Sequence, residues 1–166
     1  DTLKISSGEI TNGPLLLAHA VTRKNLIVST GMCTLEEIEK ALSVIAFGLT
    51  GAKEKPSKTA FQSSYHSESG QKLLKEKVTL LHCTTEYPAL PEEINLRAIE
   101  TIRNKFGLRV GYSDHSDGIT VPIASAALGV SLIEKHFTLD KTLSGPDHKA
   151  SLDPDELRTM VRSVRK

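Results

Sequence analysis

No stretch of this 166-residue sequence is apolar for long enough to cross a bilayer. The longest low-polarity run, 122–133, contains two serines and falls short of the roughly 20 apolar residues that a span requires. Nor does a charged start lead into an apolar core, so no signal peptide is expected. No block of one charge stands out, because 21 Lys and Arg nearly cancel 20 Asp and Glu. A near-neutral chain without a basic stripe makes nucleic acid and anionic membrane poor partners. Cysteine is scarce: Cys33 and Cys83 fit no Cys-x-x-Cys pattern. Two isolated thiols read as small buried side chains in a reducing compartment, and a cytoplasmic address is expected. Also absent are a Met before Asp1 and a Gly or Asn stop beyond the helical pattern that reaches Lys166. These two absences predict that the sequence is part of a longer chain.

What is present, 39% apolar and 25% charged residues, is the composition of one globular domain of ordinary size. Short β-rich runs alternate with helical patterns. Strands are predicted at 3–6, 26–29, 78–83, 108–112 and 131–136. Helices are predicted at 12–22, from the capping box Thr34-Leu35-Glu36-Glu37 onward, at 94–106, at 121–128, and from Asp153-Pro154-Asp155-Glu156 onward. Residues 49–77, rich in Lys, Ser, Gly and Glu, read as a peripheral surface insertion with some helix at 57–74. Apolar strands each followed by a helix imply a parallel sheet covered on both faces. Two α/β architectures fit: a five-stranded doubly wound sheet, or about five β-α units of a parallel (β/α)8 TIM barrel.

The residues after each strand bear on that choice. Ser7 and Glu9 follow the first, Ser29, Thr30 and Gly31 the second, and His82, Thr84, Thr85 and Tyr87 span the end of the third. Ser113, Asp114 and His115 close the fourth. Glu134, Lys135 and His136 close the fifth, with Asp147 eleven residues on. A doubly wound sheet concentrates its site at one switch point, whereas a barrel turns every strand end into one mouth. Five loaded ends favour the barrel. His115 and His136 end successive strands, about 4.8 Å apart in a sheet, and fit either a catalytic metal site with open positions or two hydrogen-bonded strand-end residues. Lys4, Ser7, Ser29 and Ser113 suggest an anion site, although Ser after a strand is also ordinary turn chemistry. Glu9 fits a general acid/base or an exposed loop carboxylate. Asp147 fits a contact to a hydroxylated ligand or a turn cap.

Several motifs carry a resemblance. KISSGE at 4–9, LIVSTGM at 26–32, LHCTTEYP at 81–88, GYSDH at 111–115, EKHF at 134–137 and GPDH at 145–148 together resemble the sialic acid synthase family. That family comprises N-acetylneuraminate synthase and its relatives for legionaminic and pseudaminic acids. The resemblance runs in order along the whole sequence apart from 49–77. It implies a (β/α)8 barrel that condenses phosphoenolpyruvate with an N-acetylated amino sugar, releasing phosphate. It implies a divalent metal, Mn2+ or Mg2+, at the positions matching His115 and His136. It places phosphoenolpyruvate on those matching Lys4, Ser7, Ser29 and Ser113, the acid/base at Glu9, and the sugar at Tyr87 and Asp147. Thr85 departs from the pattern, since many members have Asn there, and Thr offers a hydroxyl but no amide to phosphoenolpyruvate. The resemblance further implies three preceding strands and a C-terminal antifreeze-like domain outside 1–166, a homodimeric complete enzyme, and little or no turnover by the 166 residues alone. The competing reading is a non-catalytic module that binds an anion or a partner, or a flavodoxin-like binding protein.

Overall fold

Five strands lie side by side in the order in which the chain makes them. The structure, a computed structural model, describes residues 1–166. The strands are β1 (Thr2–Ile5), β2 (Asn25–Ser29), β3 (Val78–Cys83), β4 (Arg109–Asp114) and β5 (Ile133–Lys135), all parallel to their neighbours. The helices are α1 (Gly13–Ala20), α2 (Leu35–Thr50), α3 (Lys58–His66), α4 (Glu68–Lys77), α5 (Ala98–Phe106), α6 (Thr120–Ala127) and α7 (Pro154–Val164). This order decides between the two architectures. A doubly wound sheet needs a point where strand order reverses. Parallel crossovers are right-handed, so an unbroken order winds every helix onto one face. That is the winding of a TIM-type barrel, seen here as a curled partial barrel of five β-α units.

Side-chain alternation then gives the two faces different chemistry. Registered partners on parallel strands share a face, and successive residues alternate between faces. Ile5, Val28, Leu80 and Val110 form one row and join the 24-residue apolar core beneath the helices. The opposite face carries Lys4 beside Ile27, then Ser29, Leu81 and Gly111, then Cys83, Ser113 and Glu134. The row nearest the carboxyl ends of the strands, Cys83, Ser113 and Glu134, is polar. Gly111 sits where no side chain fits: an added Cβ would meet the Leu132 carbonyl oxygen and Leu81 Cδ2 at 2.6 Å each.

Helix boundaries follow the expected chemistry. Asn12 caps α1 by accepting from the Leu15 N–H at 3.2 Å. Thr34 and Glu37 close the box that starts α2, at 2.8 and 3.2 Å. Asp153 and Glu156 do the same for α7. The 94–106 pattern is shorter than expected, with α5 beginning only at Ala98, because Asn95 takes a left-handed backbone (φ 43°).

The reading of 49–77 as a peripheral surface insertion is corrected. The stretch forms α3 and α4, and it covers α2, which is buried over most of its circumference from Ala41 to Leu49. Phe47 and Phe61 meet edge to face at 5.1 Å between ring centres. Leu74 is fully buried within the main core. The Lys-rich composition reflects the outer faces of two amphipathic helices and the exposed connection 51–57 that leads into them. Leu74→Ala should therefore lower stability by about 2–5 kcal/mol, as for a core leucine, measured by denaturant unfolding. A loss within about 0.5 kcal/mol, typical of an exposed site, would restore the insertion reading.

Candidate active-site cleft

The polar end of the inner face opens into a cleft of about 210 Å3. The structure brings eight of the ten expected residues to its walls: Lys4, Ser7, Ser29, Thr85, Tyr87, Ser113, His115 and His136. Asp147 stands at the edge, in a small neighbouring hollow shared with Tyr87, His115 and His136. Glu9 is not brought in. It lies in the short helical turn Ser7–Glu9, and its Oε2 accepts from Asn12 Nδ2 at 2.8 Å.

The floor is built from close approaches. The Gly31 N–H donates to Ser7 Oγ at 3.1 Å, and Ser7 Oγ lies 3.0 Å from Cys83 Sγ. A Cβ on Gly31 would come within 2.7 Å of Cys83 Sγ, 2.8 Å of Thr85 Cγ2 and 2.9 Å of Ser7 Oγ. Only glycine leaves these three side chains in place. Thr30 ties the end of β2 to β3, its N–H and hydroxyl both donating to the Leu81 carbonyl. Ser29 Oγ is the one buried side-chain polar atom in the structure with no hydrogen-bond partner. A buried hydroxyl left unpaired carries a desolvation cost, and this one lines the cleft.

One carboxylate that the candidate residues omitted organises the wall. Glu134 Oε1 accepts from Ser113 Oγ at 2.7 Å and lies 3.3 Å from Lys4 Nζ. Its signal was the strand register: Glu134 pairs with Ser113, which pairs with Cys83, so all three face the cleft. Period-two alternation along 133–136 also marks Glu134 as sharing a face with His136 rather than with Lys135.

The two histidines meet at the cleft's end, with ring centres 5.6 Å apart and planes at 76°. Tyr87 stacks on His115 at 4.1 Å and meets His136 edge-on at 5.5 Å. The loop after β3 is pinned to His115 from both sides. His115 Nδ1 donates to the Thr84 carbonyl at 2.5 Å, and the Ala89 N–H donates to the His115 carbonyl at 2.9 Å. A carbonyl can only accept, so Nδ1 carries the proton and Nε2 of the neutral ring presents its lone pair. The nearest hydroxyl, Ser113 Oγ at 3.5 Å, already spends its proton on Glu134. Burial holds the His115 pKa below the ordinary imidazole value, outweighing the Thr84 bond, and the ring stays neutral. His136 Nδ1 lies 3.6 Å from Asp147 Oδ2, because the Leu152 N–H returns to the His136 carbonyl and folds the intervening loop back.

Such a pair fits a metal in part. No group of three or more His, Cys, Asp or Glu side chains gathers to hold an ion. Two imidazoles at the end of a cleft lined by a cation and hydroxyls supply nitrogen donors and would leave the other positions to substrate and water. His82 is not a third donor. Its Nε2 donates to the Ile94 carbonyl at 2.7 Å, and burial lowers its pKa as well.

A parallel sheet wound in one direction, with its polar residues converging at the carboxyl ends of the strands, defines a TIM-barrel-type α/β domain. The NeuB family model matches residues 1–166, and the chain belongs to the NeuB family. It is 48% identical over 98% of its length to N,N'-diacetyllegionaminic acid synthase of Campylobacter jejuni, covering 42% of that protein. It is 34% identical to human N-acetylneuraminate-9-phosphate synthase, again over 98% of its length and 38% of the relative. The chain thus spans about two fifths of the length of the curated relatives it matches. Among solved structures, it is similar to N-acetylneuraminic acid synthetase from Leptospira borgpetersenii in complex with citrate. There the TM-score is 0.78 at 35% identity, over 99% of this chain and 48% of that one. A DAHP synthase from Thermotoga maritima shares the fold, at a TM-score of 0.72 and 20% identity.

His82 and His115 also set a pH dependence. Both pKa values are lower in the folded state than the ordinary value near 6.5, so the unfolded chain takes up protons first as pH falls. Their contribution is intact above about pH 6.5 and is lost progressively below it. The urea midpoint should fall as pH is lowered from 7.5 through 6, and the fall should shrink in His82→Gln. A midpoint that rises on acidification contradicts the buried neutral rings.

Proposed function

We propose that the chain forms the substrate-facing portion of a nonulosonic acid synthase, joining phosphoenolpyruvate to an N-acetylated amino sugar. The observation that carries this reading is one cleft uniting a cation, three hydroxyls and an imidazole lone pair that no donor occupies. Family membership supports it, since relatives across the family are named as legionaminic, pseudaminic and N-acetylneuraminate-9-phosphate synthases. Phosphoenolpyruvate carries close to three negative charges. Lys4 offsets part of that charge, while Ser7, Ser29 and Ser113 offer donors, with Thr85 Oγ as a further one. The unpaired Ser29 hydroxyl gains its missing partner only when a ligand arrives.

In the reaction so assigned, C3 of phosphoenolpyruvate bonds to the sugar's aldehyde carbon, water adds at C2, and the C2–O bond breaks to release phosphate. His115 and His136 would hold a divalent ion, Mn2+ or Mg2+, which as a Lewis acid would polarise the aldehyde; nitrogen donors favour Mn2+ of the two. Tyr87 and Asp147 border the same end and would position the sugar. Burial raises the Tyr87 pKa, with nearby Cys83, Asp147 and Glu134 adding to the shift, so the phenol acts as a neutral donor or stacking face. Proton handling on the water or the new alkoxide falls to a carboxylate. Glu134 already faces the cleft, whereas Glu9 must first release Asn12. We further assign the complete enzyme to the cytoplasm as a homodimer, with its remaining strands and tail domain needed for turnover.

Phosphate release from phosphoenolpyruvate and N-acetylmannosamine or a 2,4-diacetamido sugar tests this in the complete enzyme. His115→Ala and His136→Ala should each abolish metal-dependent turnover, and unchanged turnover would refute the assignment. The 166 residues alone should release no phosphate. Ser29→Ala should raise KM for phosphoenolpyruvate while leaving stability equal or up to about 1 kcal/mol higher, because an unpaired buried hydroxyl is removed. A loss of stability with unchanged KM would make Ser29 purely structural.

A further inference from the structure

Behind the two histidines, on the opposite face of the sheet, lies a charged pair that is absent from the main cleft wall, with Asp114 alone reaching the small hollow beside Asp147. Asp114 and Lys135 are the last registered residues of β4 and β5, and each immediately precedes one of the imidazoles. Their side chains are 0% and 3% exposed, with Lys135 Nζ 2.5 Å from Asp114 Oδ2. Asp114 is saturated. Oδ1 accepts from the Tyr112 hydroxyl at 2.9 Å, the Ser116 N–H at 3.1 Å and Ser116 Oγ at 2.8 Å. Ser116 Oγ also reaches Oδ2 at 3.0 Å. Lys135 Nζ makes a second, short bond to the Ser116 carbonyl. His115 is therefore bracketed: the residues before and after it are both bound to Lys135, the residue before His136.

Stability alone gives little reason for such a pair. Removing an ammonium and a carboxylate from water costs more than packing apolar side chains of the same volume, and buried pairs replaced in that way are often as stable or more so. What a saturated pair supplies is a fixed geometry, with directional bonds that an apolar contact lacks. We propose that Asp114 and Lys135, with Ser116, are positioning residues that lock the ends of β4 and β5 so that His115 and His136 converge. Neither touches substrate. They act through the two rings, in the way that groups behind a ligand set its orientation. As a route to metal binding the proposal rests on the functional reading above, but the ring geometry itself does not.

Two variants of the complete enzyme test it. Ser116→Ala removes one hydroxyl and keeps the ion pair. Asp114→Asn/Lys135→Met removes both charges together, so that no ion is left unpaired. Long-range 1H–15N spectra of the imidazoles, recorded at fixed pH without metal, read the His115 tautomer directly. In the parent, His115 should show the Nδ1–H form. In both variants the signal should shift toward a tautomer mixture, while the melting temperature changes by only a few degrees. Mn2+ affinity, followed by electron paramagnetic resonance, should fall about 10- to 100-fold in the double variant and less in Ser116→Ala. Spectra and affinity matching the parent in Ser116→Ala, or unfolding of the double variant with a normal Ser116→Ala, would overturn the proposal and leave the pair a purely structural one. A parent that binds no Mn2+ yet shows the expected spectra would sink the metal reading and leave the positioning role standing.

Discussion

Everything in this domain depends on parallel strands that keep one direction of winding. Because strand order never reverses, all carboxyl ends reach the same rim, and alternation places the same set of side chains on the inner face of each strand. Ile5, Val28, Leu80 and Val110 can then be spent wholly on the core, while Lys4, Ser29, Cys83, Ser113 and Glu134 are free to be polar. A one-residue slip between β3 and β4 would exchange these roles, placing Tyr112 in the cleft and Ser113 in the core. The register is held where it matters most, at the strand ends. The Thr30 bonds to Leu81 hold β2 to β3, and the Asp114–Lys135 pair holds β4 to β5.

The cleft combines groups that do not satisfy one another. Ser29 lacks a partner, His115 Nε2 has no donor, and Lys4 and Ser113 share a single carboxylate oxygen of Glu134. A protein interior normally closes such accounts. The helix-facing side of the same strands does so, with every oxygen of Asp114 engaged. The contrast lies between successive residues, Ser113 and Asp114 or Glu134 and Lys135. It separates a face built for a ligand from a face built for rigidity.

Much of this was legible in the sequence, for identifiable reasons. Capping boxes at Thr34 and Asp153 involve side chains that act on their own neighbours, so local spacing suffices to find them. Strand-end polarity is likewise a one-dimensional signal, and it pointed to eight of the residues that line the cleft. The failures came where a third dimension decides. Residues 49–77 looked like solvent-exposed sequence because the apolar stripes of α3 and α4 are thin, and only α2 beneath them shows why Leu74 and Phe61 matter. Glu9 is a different case: its motif suggests the mouth, and the structure adds a local partner three residues on, Asn12, that holds its carboxylate. Nothing local explains Gly31, whose reason is the crowding of Ser7, Cys83 and Thr85, which come from different parts of the chain.

Glu134 raises the sharper question of how an acidic residue belongs in a cleft suited to an anion. Its Oε1 accepts from the Ser113 hydroxyl and stands 3.3 Å from the Lys4 ammonium. It thereby holds the donors that an incoming carboxylate or phosphate would require. Lys4 and Glu134 are each more than a third exposed in their side chains, so the attraction between them is screened and weak. An incoming anion would meet donors that are ordered yet weakly held. The same side chain therefore keeps the Lys4 and Ser113 donors ordered at the cleft wall, at a strength that a competing anion can overcome.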